Sequence, residues 1–245
     1  MIIDTHCHLE LNDNDKIEKM KNNIMIVSGA DTLSNKNNLN FKLDNIYVTL
    51  GLHPDEAQKY TKEDIDFIEK HINDRHVVAI GEIGLDYHNE VNQKLQKELF
   101  IEQLEIAKKY KKTVVIHSRD AIKDTLDILK DYKELKKVLH CFSSSSEMAK
   151  EFIKINSKIG IGGVVTFKNG KNMQNVVKEI DIEDILLETD SPFLSPEPFR
   201  GKENEPYNVN IVANKVASIK NMTVEEIDNI TTRTAISWFD LDIEV

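Results

Sequence analysis

Short apolar runs recur along the chain, each followed by a longer stretch in which apolar residues fall three or four apart. The runs begin at MII, IMIVSG, IYVTLG, VVAIGEIG, TVVIHS, KVLHCFS, KIGIGG and ILLETD, eight of them between Met1 and about Asp190. Near-continuous apolar runs of this length suit strands buried on both faces. The stretches between them read as amphipathic helices. After Val91, residues Leu95, Leu99, Phe100, Leu104 and Ala107 share one helical face. Met148, Phe152 and Ile155 repeat the pattern after a serine run, with Ser144 and Glu147 at capping-box spacing. A last helix starts at Thr223, where Glu226 completes the same box, and the Asn-rich segment from Ser34 to Leu43 reads as a short helix. The alternation predicts a parallel sheet covered by helices. Eight units predict an α/β fold of the TIM-like (β/α)8 barrel type, with a doubly wound open sheet as the competing arrangement. No repeat motif, low-complexity tract or Pro/Gly/Ser-rich linker breaks the pattern, so residues 1–245 are read as a single domain.

A barrel of this kind collects its chemistry at the C-terminal ends of its strands. The ends of the predicted strands carry such chemistry. MII runs into Asp4, His6 and His8, IYVTLGL into His53, VVAIG into Glu82, TVVI into His117, KVL into His140 and ILLE into Asp190. Five of the eight histidines stand at these ends, far more than the small share of sequence the ends occupy.

Residues i and i+2 of a strand point the same way, so His6 and His8 can reach one ion together with Cys7 turned aside. One catalytic zinc takes about three protein ligands plus water, and six exceed that. Two ions sharing a bridging carboxylate use six: His6, His8 and Asp190 on one, His117 and His140 on the other, Glu82 bridging. Imidazole with carboxylate suits zinc, manganese, iron or nickel better than calcium, and magnesium where water completes its shell. Two divalent ions about 3.5–4 Å apart suit hydrolysis at phosphorus or at a carbonyl carbon. Glu82 and Asp190 are the catalytic candidates, with Asp190 accepting the proton of the attacking water while it remains a ligand. His53 has no ligand partner in this scheme and is placed beside the site, on a phosphate oxygen or the leaving group. Arg119 and Ser143 are further candidates for substrate contact. Bland readings suffice elsewhere. His71 and His76 are surface histidines in a polar stretch, and His88 follows a turn. Strand alternation points Cys141 away from His140, which argues against a cysteine nucleophile.

Net charge is −10, which argues against broad electrostatic attachment to nucleic acid but not against an enzyme that grips phosphates with ions and a few local cations. Two cysteines without a CxxC spacing, no signal-like N-terminus and no apolar run near the roughly 20 residues of a membrane helix point to a cytoplasmic protein without membrane contact. IGIGG lacks the spacing of a dinucleotide fingerprint, so no nucleotide cofactor is expected.

DTHCHL, LGLHP, GEIGLDYH, VIHSRDA, LHCFS, GIGGVVTFKN, LLETDSPFLSP and the RGKENEP stretch resemble, in order and spacing, the TatD-type metal-dependent DNases, which belong to the amidohydrolase-like metal barrels. The resemblance spans essentially the whole chain. It implies a TIM-like barrel and divalent-metal-dependent phosphodiester hydrolysis, typically on DNA, with DNA ends or single strands as the substrate. It carries the family's ligands onto His6, His8, Glu82, His117, His140 and Asp190, its catalytic acid onto Asp190, and substrate-side positions onto His53 and the Arg200 to Pro206 loop. Ser144 stands where the family usually has glycine, and Glu203 where a basic or neutral residue is commoner. The alternative is hydrolysis of a carbonyl substrate on the same site: an amide, a lactone or an acyl ester such as aminoacyl-tRNA. A carboxylated lysine at the fourth strand end would favour it; Glu82 occupies that place. A non-catalytic metal-binding module would lack a ligand, and none is missing.

Overall fold

In the computed structural model, which describes residues 1–88 and 91–243, each of the eight apolar runs is a strand. These are β1 (Ile3–Cys7), β2 (Ile24–Val27), β3 (Ile46–Leu50), β4 (Val77–Asp86), β5 (Thr113–Arg119), β6 (Lys137–Leu139), β7 (Ser157–Ile161) and β8 (Ile185–Leu187). All pair in parallel in sequence order. The two edges are joined at the top. Thr5 Oγ1 donates to Leu187 O (3.0 Å), Asp190 N to His6 O (2.9 Å) and His8 N to Ser191 O (2.7 Å), so the sheet is a nearly closed barrel. The barrel reading holds over the open sheet.

Alternation along the strands separates two packing layers. Met25, Val27, Val48, Val114, Ile116 and Ile159 face outward and pack with helix residues such as Ile68, Phe100, Leu104, Phe152 and Val212. Ile24, Ile26, Tyr47, Val115, Val138 and Leu186 fill the interior, where Ala235, Phe239 and Leu241 join them. Near the strand starts, Trp238 O accepts from Thr113 Oγ1 (2.7 Å) and Trp238 Nε1 donates to Lys137 O (3.0 Å). Residues 235–241 thus seal the bottom, and the open face is the top.

The helices are α1 (Asn14–Lys19), α2 (Thr32–Asn38), α3 (Lys62–His71), α4 (Gln93–Tyr110), α5 (Ile122–Leu129), α6 (Ser146–Ile153), α7 (Lys171–Glu179), α8 (Val209–Lys220) and α9 (Val224–Phe239). The predicted apolar face of α4 is buried apart from a partly covered Leu95, and Thr223 and Glu226 form the expected capping box on α9. Two helix starts differ from expectation. Ser145, not Ser144, caps α6, accepting from Met148 N at 3.3 Å; Ser144 instead gives its carbonyl to Asn172. The Asn-rich helix is α2, which begins earlier than Ser34 because Asp31 and Ser34 form a capping box at its start, and which ends at Asn38. Among the described residues no helix is long and apolar enough to cross a membrane.

Candidate active site

The strands aim the site by breaking their own register. Between Asp4 and Cys7 on β1, and between Ile80 and Ile83 on β4, pairing shifts, and the extra residue turns the side chains that follow. Cys7 stays outward, its thiol on Ile26 O, while His6 and His8 face the interior. The second shift falls on Gly81 and Glu82, joined by a cis peptide bond, and brings Glu82 inward. Asp190 follows β8 with φ 55°, a left-handed conformation that short polar side chains tolerate better than most.

All six predicted ligands meet at the top of the barrel. Glu82 divides them. Its Oε2 lies 3.6 Å from His6 Nε2 and 3.9 Å from His8 Nε2; its Oε1 lies 2.7 Å from His117 Nδ1 and 2.9 Å from His140 Nε2. Asp190 Oδ1 sits with the first pair, 3.6 Å from His6 Nε2 and 3.7 Å from His8 Nε2. His6 and His140 stack at 3.9 Å between ring centroids, linking the two halves.

Glu82, Asp190 and His6 are in the right state for a cation. Against the lowering effect of burial, the neighbouring carboxylates raise His8, His117 and His140, the last to about 10, so each of these must give up a proton when a cation binds. Burial raises the Glu82 carboxyl, but His140 and His117 beside it overcome that and hold it well below the usual carboxylate range. Burial also raises Asp190, and the bond with His8 brings it below its ordinary value. Burial and the charge of His140 push His6 well down, so its imidazole is neutral with a lone pair to give. Both of its ring nitrogens are buried without a hydrogen-bond partner among the described residues, a cost that a ligated cation would remove. Nitrogen and carboxylate donors in this arrangement fit a divalent metal. Mn²⁺ or Zn²⁺ added to chelated protein at a hundredfold excess over Kd should therefore stabilise the fold by about 2.7 kcal/mol. At roughly 2–4 °C per kcal/mol, the melting temperature rises by roughly 5–11 °C. Differential scanning calorimetry checks this, and an unmoved melting temperature would count against the site.

The remaining candidates separate. His53 takes Asp55 N on Nδ1 (3.3 Å), which leaves Nε2 facing the site, 3.8 Å from Glu82 Oε1. Arg119 and Ser143 line a cavity of about 690 Å³ that five of the six ligands open onto, His6 excepted, together with Phe142 and Phe193. Arg200 does not line it. Its guanidinium lies over the Phe167 ring at 4.2 Å, away from the cavity lining. The RGKENEP stretch acts at the mouth through Asn204, whose buried amide donates to Thr189 O and Phe193 O and staples the loop after β8. Glu203 pairs with Lys16 at 2.8 Å, which offsets its charge. Ser144 does not have a positive φ, so the turn makes no demand for glycine. His71, His76 and His88 lie outside the site, on Asp74, Ile46 O and Asp120 respectively.

Cys141 departs from expectation. β6 ends at Leu139 and Cys141 has φ 43°, so strand alternation no longer governs it. Its thiol comes within 4.8 Å of ligand atoms of His140 and Asp190. Burial pushes that thiol well above its ordinary value, which makes it a poor nucleophile.

Several residues around the ligands were not singled out from the sequence. Asp86 Oδ2 lies 3.1 Å from His117 Nε2, and Glu188 Oε1 faces His140 Nδ1 at 3.9 Å. Asp4 accepts from Thr189 N (2.9 Å) and Thr189 Oγ1, tying β1 to the end of β8. Two buried glutamines of α4 clamp the loops that carry the site: Gln96 bonds both backbone groups of Asp86, and Gln103 those of Leu52, next to His53.

Comparison with known proteins agrees with this geometry. The family model "TatD related DNase" matches residues 3–240. The chain is 40% identical over 255 residues to YabD of Bacillus subtilis, an uncharacterized metal-dependent hydrolase, covering 99% of this chain and all of YabD. It is 33% identical over 257 residues to YcfH of Escherichia coli K12, also an uncharacterized metal-dependent hydrolase, covering 98% and 96%. The crystal structure of YJJV, a TatD homolog from Escherichia coli K12, superimposes with a TM-score of 0.91 at 27% identity, covering 98% of each chain.

Proposed function

The chain belongs to the TatD family of metal-dependent hydrolases, and on that premise we propose that it is a phosphodiesterase acting on DNA with two divalent ions. The carrying observation is Glu82, a buried carboxylate that offers one oxygen to His6 and His8 and the other to His117 and His140. When bound, a divalent pair would lower the pKa of a water and offset negative charge on the reacting oxygens.

The chain's own groups do the rest. Asp190, ionised and facing His6 and His8, accepts the proton of the attacking water on its second carboxylate oxygen. His53 Nε2 donates to a phosphate oxygen or to the leaving group. Arg119 and Ser143 hold the neighbouring part of the substrate. Phe193, 60% exposed and packed edge-on against His8 at 6.1 Å, offers a face for an unpaired base at the mouth. DNA as the substrate is supported by the family model's description and by this mouth. With a net charge of −10 the enzyme grips a strand locally, not along a basic surface.

The test is hydrolysis of labelled single-stranded DNA and of bis-p-nitrophenyl phosphate by chelated protein after adding back magnesium, manganese or zinc. Cleavage of both supports the reading; failure on DNA with any metal sinks the substrate assignment. In the same assay Arg119→Glu should lower kcat/KM on DNA by about tenfold, the 1–2 kcal/mol of a lost charged contact, while the small diester changes little. Equal losses on both would remove Arg119 from strand binding.

A further inference from the structure

The two halves of the ligand cluster are unequally furnished. His6 and His8 have Asp190 within 4 Å besides their share of Glu82, whereas among the described residues Glu82 is the carboxylate within 4 Å of His117 Nδ1 and of His140 Nε2, with Asp190 farther from His140. Behind the imidazoles the order is reversed. His117 gives Nδ1 to Glu82 and turns Nε2 to Asp86. Asp86 is buried and fixed by the backbone bonds to Gln96 and by His88 N on its Oδ1 (2.9 Å). His140 gives Nε2 to Glu82, and its buried Nδ1 faces Glu188. Among the described residues no carboxylate backs the Nδ1 of His6 or of His8.

Glu188 is the more telling of the two. It is fully buried, with Oε1 taking the Cys141 backbone N–H and Oε2 without a hydrogen-bond partner among the described residues. It lies in space kept open by Gly160, where a Cβ would stand 2.5 Å from Oε2. A carboxylate held in a barrel interior at such desolvation cost must be offset by something it serves. His140 is the imidazole within its reach. A carboxylate behind a ligating imidazole fixes the ring and strengthens it as a donor, and its loss weakens metal binding by about 10–100-fold.

We propose that Asp86 and Glu188 are positioning residues for one metal position only, orienting His117 and His140 from behind with carboxyl oxygens that the other half of the cluster does without. The inference rests on the two-ion reading above. The His6–His8–Asp190 position, with a carboxylate in direct reach, does not depend on either residue.

The test is titration of chelated protein with Mn²⁺ alone, reading free Mn²⁺ by electron paramagnetic resonance. Wild type should give two binding constants. Asp86→Asn and Glu188→Gln should each weaken one of them about 10–100-fold and leave the other within about threefold, with hydrolysis restored at saturating Mn²⁺. His8→Asn should weaken the other constant. In a His140→Ala background Glu188→Gln should have no further effect on Mn²⁺ binding, because it acts through that ring. Should Glu188→Gln fail to fold by circular dichroism, Asp86→Asn with His117→Ala carries the same cycle. Equal weakening of both constants, no weakening of either, or an undiminished effect of Glu188→Gln without His140 would overturn the proposal. A wild type that saturates at one ion would overturn the two-ion reading and this inference with it.

Discussion

Glu82→Ala is expected to reduce metal-supported hydrolysis more than about a thousandfold, above 4 kcal/mol of transition-state stabilisation at 1.36 kcal/mol per decade. Among the described residues Glu82 is the ligand that turns one oxygen toward each pair of imidazoles. Oε1 serves His117 and His140, Oε2 serves His6 and His8, and the residue is only 5% exposed, so neither solvent nor a neighbour can take its place. Glu82→Gln separates charge from shape. An amide keeps one acceptor oxygen but turns a donor N–H toward the other pair of imidazoles, so it too should lose most of the activity. Both variants should keep the fold, because the barrel layers pack without this side chain. The measurement is kcat/KM on bis-p-nitrophenyl phosphate across a series of Mn²⁺ concentrations, with melting curves alongside. Folded Glu82→Ala retaining activity within tenfold of wild type would end the shared-carboxylate reading. Full recovery at high Mn²⁺ would show that Glu82 only raises affinity.

The sequence carried the ligands because a barrel leaves them a recognisable address. His117 and His140 follow an apolar run directly and His6 and Asp190 stand three residues past one, and an apolar run that leads into a ligand-type residue is legible without coordinates. The groups behind them have no such address. Asp86 stands in GLDYH among residues that read as a turn, and Glu188 precedes Asp190 so closely that the pair looks like one acidic strand end. Only the fold shows that Glu188 points into the barrel below the ligands while Asp190 turns up into the site. Gln96 and Gln103 were hidden for a different reason: on α4 they break an otherwise apolar face and look like ordinary solvated positions, yet they hold the loops before His53 and at Asp86. The Cys141 reading failed because alternation was extended past the strand's last residue. Period-two arguments hold only while pairing continues, and β6 is three residues long.

Register is also where the fold is most exposed to a single change. Gly84→Ala is expected to destabilise the protein by about 3 kcal/mol or more, lowering the melting temperature by roughly 6–12 °C at 2–4 °C per kcal/mol. Gly84 has φ 144°, outside the range of residues with a side chain, and a Cβ there would stand 2.0 Å from His117 O. That oxygen is backbone in the paired strand, at the position where Gly84 lies opposite His117, so it cannot swing aside as a flexible side chain would. Either β4 and β5 part or His117 moves, and His117 is held between Glu82 and Asp86. Gly201 provides the control, with a positive φ of 86° but nothing within 4 Å of an added Cβ. Gly201→Ala should therefore cost only the backbone term, about 1 kcal/mol, and leave hydrolysis intact. Melting curves of the two variants separate the steric part from the conformational part. Hydrolysis by Gly84→Ala, assayed well below its melting point, then tests the link to the site. A folded Gly84→Ala protein with wild-type activity would mean that the two strands tolerate separation at this pair, and that the position of His117 is set by Glu82 and Asp86 alone.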